Sequence, residues 1–204
     1  MKNAIYIIIL GLASVLQAQE LDSLWLKEIK VFQTEQDEHY FNKKTSPLNK
    51  KERKSFKGHH FFPVDIDYCV EASFHKIEKE DTVAMQTSSG SIKYYKPYAY
   101  VRFMLKDTLC ELTLYQSYWL RDKDEYKNYL LMPFTDATSG KSSYGGGRYL
   151  DIEIPSKDTI TLNFNLAYNP YCAYTSGYNC TIPPRENRLN VHVLAGLAAP
   201  ENHD

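Results

Sequence analysis

The side chains able to do chemistry gather late in the chain, in PFTDATSGKSSYGGGRYLD (133–151) and FNLAYNPYCAYTSGYNCTIPPRENRL (164–189). Gly145-Gly146-Gly147 can bring consecutive backbone N–H groups close to an anion, and Arg148 adds a planar two-pronged donor for carboxylate or phosphate. Asp136, Ser139, Gly146, Arg148, Asn165, Asn169, Tyr174, Glu186, Asn187 and Arg188 are therefore the candidate ligand-binding residues. A hydrolase could be assembled from the same stretch, with Asp136, Ser139, Cys172 or Glu186 as base or nucleophile and Arg148 stabilising developing negative charge. The same glycines also suit a bulge that starts a strand, with Arg148 paired internally to Asp136, Asp151 or Glu186. In that third reading the motifs lock loops together and serve no ligand.

Several chemistries are excluded by spacing. Gly140-Lys141-Ser142 resembles the end of a phosphate-binding loop, but that motif requires a glycine where Thr135 stands. No nucleophile-elbow pattern surrounds Ser139. His59 and His60 are adjacent and point apart on an extended chain, so no metal site is expected, and no cofactor. Cys172 and Cys180 enclose seven residues. Three readings stand for them: packed thiols, a disulfide in an oxidising compartment, or a reactive or metal-held thiolate.

These stretches need a frame, and the hydrophobic pattern supplies one. Met1–Gln19 has a basic start and an apolar run of about a dozen residues, short of the ~20 that span a bilayer. It reads as an export signal, which predicts a periplasmic or secreted protein with no stable membrane span once the signal is removed. Glu20–Asn42 carries Leu21, Trp25, Ile29 and Phe32 on one helical stripe, a docking face for a sheet. Asn49–Phe56 is a basic helical turn. From Pro63 the period becomes two, with Val64, Ile66, Tyr68, Val70, Ala72 and Phe74 alternating with polar residues. Further strands are predicted near 82–87, 92–95, 98–105, 109–118, 129–132, 148–154, 159–166 and 189–194, with 148–154 and 159–166 expected to pair. Without β-α-β alternation, this predicts a mainly β fold: an antiparallel β-sandwich or barrel of about 8–10 strands with an N-terminal amphipathic helix. The expected layout is a signal over 1–19, a helical segment over 20–62 and a β-rich domain over 63–204, with 20–204 folding as one unit.

At the quoted motifs, with Ser46-Pro47-Leu48 and FKGHHFFP (56–63), the chain resembles the bacterial family numbered 1684 among the domains of unknown function. The likeness runs from about Trp25 to Gly196. It implies a β-rich single domain and supplies no substrate, cofactor or catalytic assignment. Asn163 stands where the family has aspartate in an LDFN-like motif, and Gly196-Leu197 replaces an acidic-basic ending.

The 204 residues include 43% hydrophobic side chains, enough for a core, and 17 tyrosines, which suit half-buried strand positions and wet binding surfaces alike. A net charge of −1 gives no global attraction to nucleic acid. The reading is an exported protein that binds a small polar or anionic ligand of unknown identity; whether it is an enzyme stays open.

Overall fold

The computed structural model describes residues 24–79 and 81–201. The leader expected over Met1–Gln19 and the stripe residue Leu21 lie outside the described residues. Seven antiparallel strands form one curled sheet: β1 (Cys69–Lys76), β2 (Val83–Gln86), β3 (Ile92–Leu105), β4 (Thr108–Ser117), β5 (Tyr129–Phe134), β6 (Arg148–Glu153) and β7 (Thr159–Asn163). Their order is β6-β5-β4-β3-β1-β7, with β2 attached to β3. Helix α1 covers residues 24–41 and α2 spans Lys50–Ser55.

Side chains alternate across a strand, so each strand serves two faces. Val101, Phe103, Leu112, Leu114, Leu130, Met132, Phe134, Leu150 and Leu162 point into the curl and make the main core. Tyr95, Tyr115, Leu131 and Tyr149 point to the other face and form a smaller cluster with Met85. A one-residue irregularity in β3 decides which face each tyrosine joins. Pro97 pairs with Tyr115 but Ala99 pairs with Leu114, so Tyr98 is skipped. That skip puts Tyr95 on the outer face and Ala99 and Val101 in the core, because an extra residue reverses the phase of a strand.

Three local expectations are corrected. The alternating strand begins at Cys69, not Pro63: the Asp65 carboxylate accepts from the Asp67 N–H at 2.9 Å and starts a tight 3₁₀ turn over Ile66–Tyr68, leaving Val64 and Ile66 exposed. Strands β6 and β7 do not pair with each other; β6 lies on β5 and β7 on β1. They are instead the two ends of the strand order, and β6 is bridged at Tyr149 to Tyr168, in the segment that follows β7. Elsewhere a gap of about 460 Å³ separates them, lined by Ile152, Ile160 and Thr161, with Trp25 and Glu28 of α1 standing over it. Finally, 189–194 is irregular rather than a strand: Leu189 and Val191 bond the backbone of Thr135 and Ala137, and side chains described below take up the backbone of Val193.

The helical stripe docks as expected, with Ile29 buried and Trp25 and Phe32 half-buried. Asn49 caps α2 by accepting from the Lys51 and Glu52 N–H groups, and Glu52 accepts from the Asn49 N–H at 2.8 Å. This reciprocal box compensates for the short length of the helix.

Candidate functional site

The two motif stretches come together in the interior. Arg148 is 1% exposed. Its guanidinium donates to Asp136 Oδ1 at 3.2 Å and to the carbonyls of Val193 (2.8 Å), Ala195 (2.5 Å) and Leu197 (3.2 Å). The other Asp136 oxygen accepts from the Thr138 N–H and hydroxyl and from the Val193 N–H. One ion pair thus fastens the 136–148 loop to the 193–197 segment, which is why that segment cannot pair as a strand. Gly147 precedes it at φ +86°, where a Cβ would meet the Phe134 carbonyl oxygen at 2.7 Å, so glycine is required by both conformation and space. The Ser139 hydroxyl accepts from the Asp136 N–H at 3.0 Å. Gly146 lies against the Tyr144 ring.

The other expected residues are committed in the same way. Asn165 is clamped to the Asp65 backbone through its carbonyl (3.1 Å) and amide (2.9 Å). Asn187, 0% exposed, accepts from the Thr113 N–H and donates to the carbonyls of Thr113 and Pro133. Asn169 donates to the Tyr174 hydroxyl and the Ala198 carbonyl. The exposed Glu186 accepts from the Tyr115 hydroxyl at 3.1 Å, and Arg188 contributes a backbone bridge to Thr135 while its side chain is exposed. At Asp136, Arg148, Asn165 and Asn187 the expected pocket is therefore a filled, hydrogen-bonded interior, while Glu186 and Arg188 stand exposed outside it. Of the ten candidates, Asn169 alone also lines the cleft described next.

Cys172 and Cys180 form a disulfide, so Cys172 offers no free thiol. Cys69 and Cys110 are free thiols, and burial raises both pKa values, Cys69 to about 11, which leaves them unreactive. Closing so short a loop stabilises by about 2 to 3 kcal/mol in the chain-entropy account. Replacing both Cys172 and Cys180 with serine is expected to lower the unfolding free energy from urea titration by that amount, and reductant should shift the wild type to match the variant.

The cavity sits on the outer face of the sheet. A cleft of about 770 Å³ lies between β3–β6, α1 and the 168–181 loop. Its walls carry Tyr95, Tyr129, Tyr149, Tyr168, Tyr171 and Tyr178, and the Asp151 carboxylate opens into it. Alternation along β6 produces this: Leu150 and Ile152 enter the core, so Tyr149 and Asp151 face the cleft. Tyr129 and Tyr168 both donate to Asp151 Oδ1, at 2.8 and 2.6 Å. Solvent reaches Asp151, but the enclosing protein removes much of its water and raises its pKa, while the two phenol donors oppose that rise. Burial also pushes the phenols of Tyr129, Tyr149 and Tyr168 well above the ordinary tyrosine range, so they stay neutral. This site does not stand out in the sequence because tyrosine suits half-buried strand positions and wet binding surfaces alike. The shared phase of Tyr149 and Asp151 was the available signal.

On the far side of α1, His59 anchors the helix. Its fully buried side chain donates from Nδ1 to Asp37 Oδ1 at 2.7 Å, and its Nε2 has no hydrogen-bond partner. Tyr40, Phe56 and Tyr174 pack around the ring. Burial lowers the His59 pKa; Asp37 pulls it up, and His39 and His60 add to the lowering. The folded chain then binds fewer protons here than the unfolded one, so stability should fall as pH drops through about 6.5. Urea midpoints at pH 7.5 and 5.5 test this. His59→Asn, whose amide can still donate to Asp37, should show a smaller difference.

The fold and site together define a mainly β protein built on one curled antiparallel sheet, with a locked interior beneath one face and an aromatic cleft on the other. The family described as a protein of unknown function (DUF1684) matches residues 54–198, and the chain belongs to that family. It is similar to an uncharacterized protein of Haloarcula marismortui known from a solution NMR structure. The identity is 33% over 90% of this chain and 99% of that one, with a TM-score of 0.69. No functionally curated protein matches. Among the described residues, no helix is long and apolar enough to cross a membrane.

Proposed function

We propose that this is an exported protein that binds a small polar ligand in the tyrosine-lined cleft. One observation carries the reading: a cleft of about 770 Å³ joins six tyrosines to a carboxylate of which only one oxygen is engaged by protein. Clefts of this size suit drug-sized ligands, and tyrosine provides a rigid apolar wall with a polar tip. The anionic alternative loses its main residue, since Arg148 is buried and occupied by Asp136 and three carbonyls. The 136–148 motif fits the loop-locking reading. Export is supported by the Met1–Gln19 pattern and by the Cys172–Cys180 disulfide, a bond that persists in oxidising compartments. Cell fractionation tests it: recovery of the chain in the cytoplasm with its leader intact would exclude it.

The binding reading is tested by thermal-shift screening against amines, polyols, nucleotides and carboxylates. The comparison is with Ser117→Trp, which places an indole in the cleft wall. A compound that stabilises the wild type and not the variant supports the reading; equal shifts in both, or none across the panel, count against it.

A further inference from the structure

Asp151 is a carboxylate that no cation of this chain answers. Asp136 has Arg148, whereas among the described residues Asp151 is met by two neutral phenols, both on Oδ1. No hydrogen bond engages its Oδ2 there, and the residue lines the cleft. Solvent reaches Asp151, so it needs no partner to stay charged; what it offers is an unpaired carboxylate on the wall of an aromatic cleft. Lys93 lines the same cleft, but its ammonium donates to the Asn179 carbonyl at 2.5 Å and makes no ion pair with Asp151. His39 is likewise engaged, with the Tyr171 hydroxyl at 3.1 Å. No group of three or more His, Cys, Asp or Glu side chains able to hold a metal ion occurs among the described residues.

A carboxylate with one free oxygen beside several aromatic rings suits a positively charged ligand. Aromatic faces attract cations electrostatically, and the attraction strengthens when water is excluded. Tyr149 and Tyr168 stand edge to face, with ring centroids 5.7 Å apart, and the Tyr129 hydroxyl meets the same carboxylate oxygen as that of Tyr168. The two hydroxyl contacts fix the carboxylate and leave Oδ2 as its free acceptor. We infer that the cleft takes a small organic cation, an alkylammonium or quaternary ammonium group, seated at Asp151 Oδ2 and against the rings of Tyr129, Tyr149 and Tyr168. The inference rests on the ligand-binding reading above and names its ligand class.

Choline and its neutral carbon isostere, 3,3-dimethylbutan-1-ol, separate charge from shape. Titrated into the full chain and followed by NMR, choline should cause saturable shifts of cleft signals in the millimolar range or below. The neutral alcohol should bind at least about tenfold more weakly, as a charge-dependent contact requires. Asp151→Asn can still accept from both phenols and should lose about tenfold in choline affinity for the same reason. If that variant loses its native spectrum, the wild-type comparison of choline with its isostere decides. Equal binding of the two probes, an unchanged choline affinity in folded Asp151→Asn, or no saturable choline response each overturns the cationic inference. The cleft reading survives that failure if a neutral compound stabilises wild type but not Ser117→Trp; if none does, both fall.

Discussion

Arg148→Met should cost about 3 to 5 kcal/mol, the usual penalty for leaving one charge of a buried pair alone. That is a large share of the roughly 5 to 15 kcal/mol available to a folded domain. The side chains of Arg148 and Asp136 are 1% and 0% exposed, so neither water nor salt can replace the missing partner. Three carbonyls of 193–197 would lose their donor as well. The urea midpoint should fall sharply, and adding Asp136→Asn should recover part of the loss, since the double variant no longer buries an unpaired charge. Arg148→Lys should remain strongly destabilised, because a single ammonium cannot reach all four acceptors in the planar arrangement of a guanidinium. An unfolding free energy for Arg148→Met within about 1 kcal/mol of wild type would show that the pair is not integral to the fold.

Asn187→Ala should be the second severe lesion, at about 3 kcal/mol or more. Strands β4 and β5 are paired at Tyr115 and Leu131. Two residues further along that register Thr113 faces Pro133, whose nitrogen carries no proton and cannot continue the ladder. The Asn187 amide fills the break, serving the Thr113 N–H and the carbonyls of Thr113 and Pro133. Alanine would leave three buried backbone groups unsatisfied, each costing about 1 to 3 kcal/mol when not re-solvated. Asn187→Asp should fare no better, because a carboxylate would face two carbonyl oxygens. Amide hydrogen exchange at Thr113 and Leu131 would localise the damage, whereas uniform protection with an unchanged midpoint would refute the assignment.

The parts of this architecture visible in sequence were those encoded locally. The alternation of Tyr149, Asp151 and Glu153 against Leu150 and Ile152 gave β6 and its two faces correctly. The Arg148–Asp136 pair was one of the internal pairings named for that arginine, and the disulfide was one of three readings for Cys172 and Cys180. What escaped was non-local or phase-dependent. A single skipped residue at Tyr98 leaves the composition unchanged yet reverses the strand, so 92–95 and 98–105 read as separate strands instead of one continuous β3. The pairing of β7 with β1 joins segments about ninety residues apart, with no local cue to prefer it over the adjacent β6. The candidate site shifted for a related reason. Glycine, asparagine and arginine can build either a pocket or a lock, and only burial separates the two. Tyrosine is equally ambiguous between core and cleft.

The gap between β6 and β7 has a consequence for solubility. An uncovered strand edge presents free N–H and C=O groups that another molecule can extend into a continuous intermolecular sheet. Helix α1, with Trp25 and Glu28 over the breach, acts as a guard against such aggregation. A chain trimmed to begin after residue 42 would retain all seven strands yet leave both edges open to templated self-association.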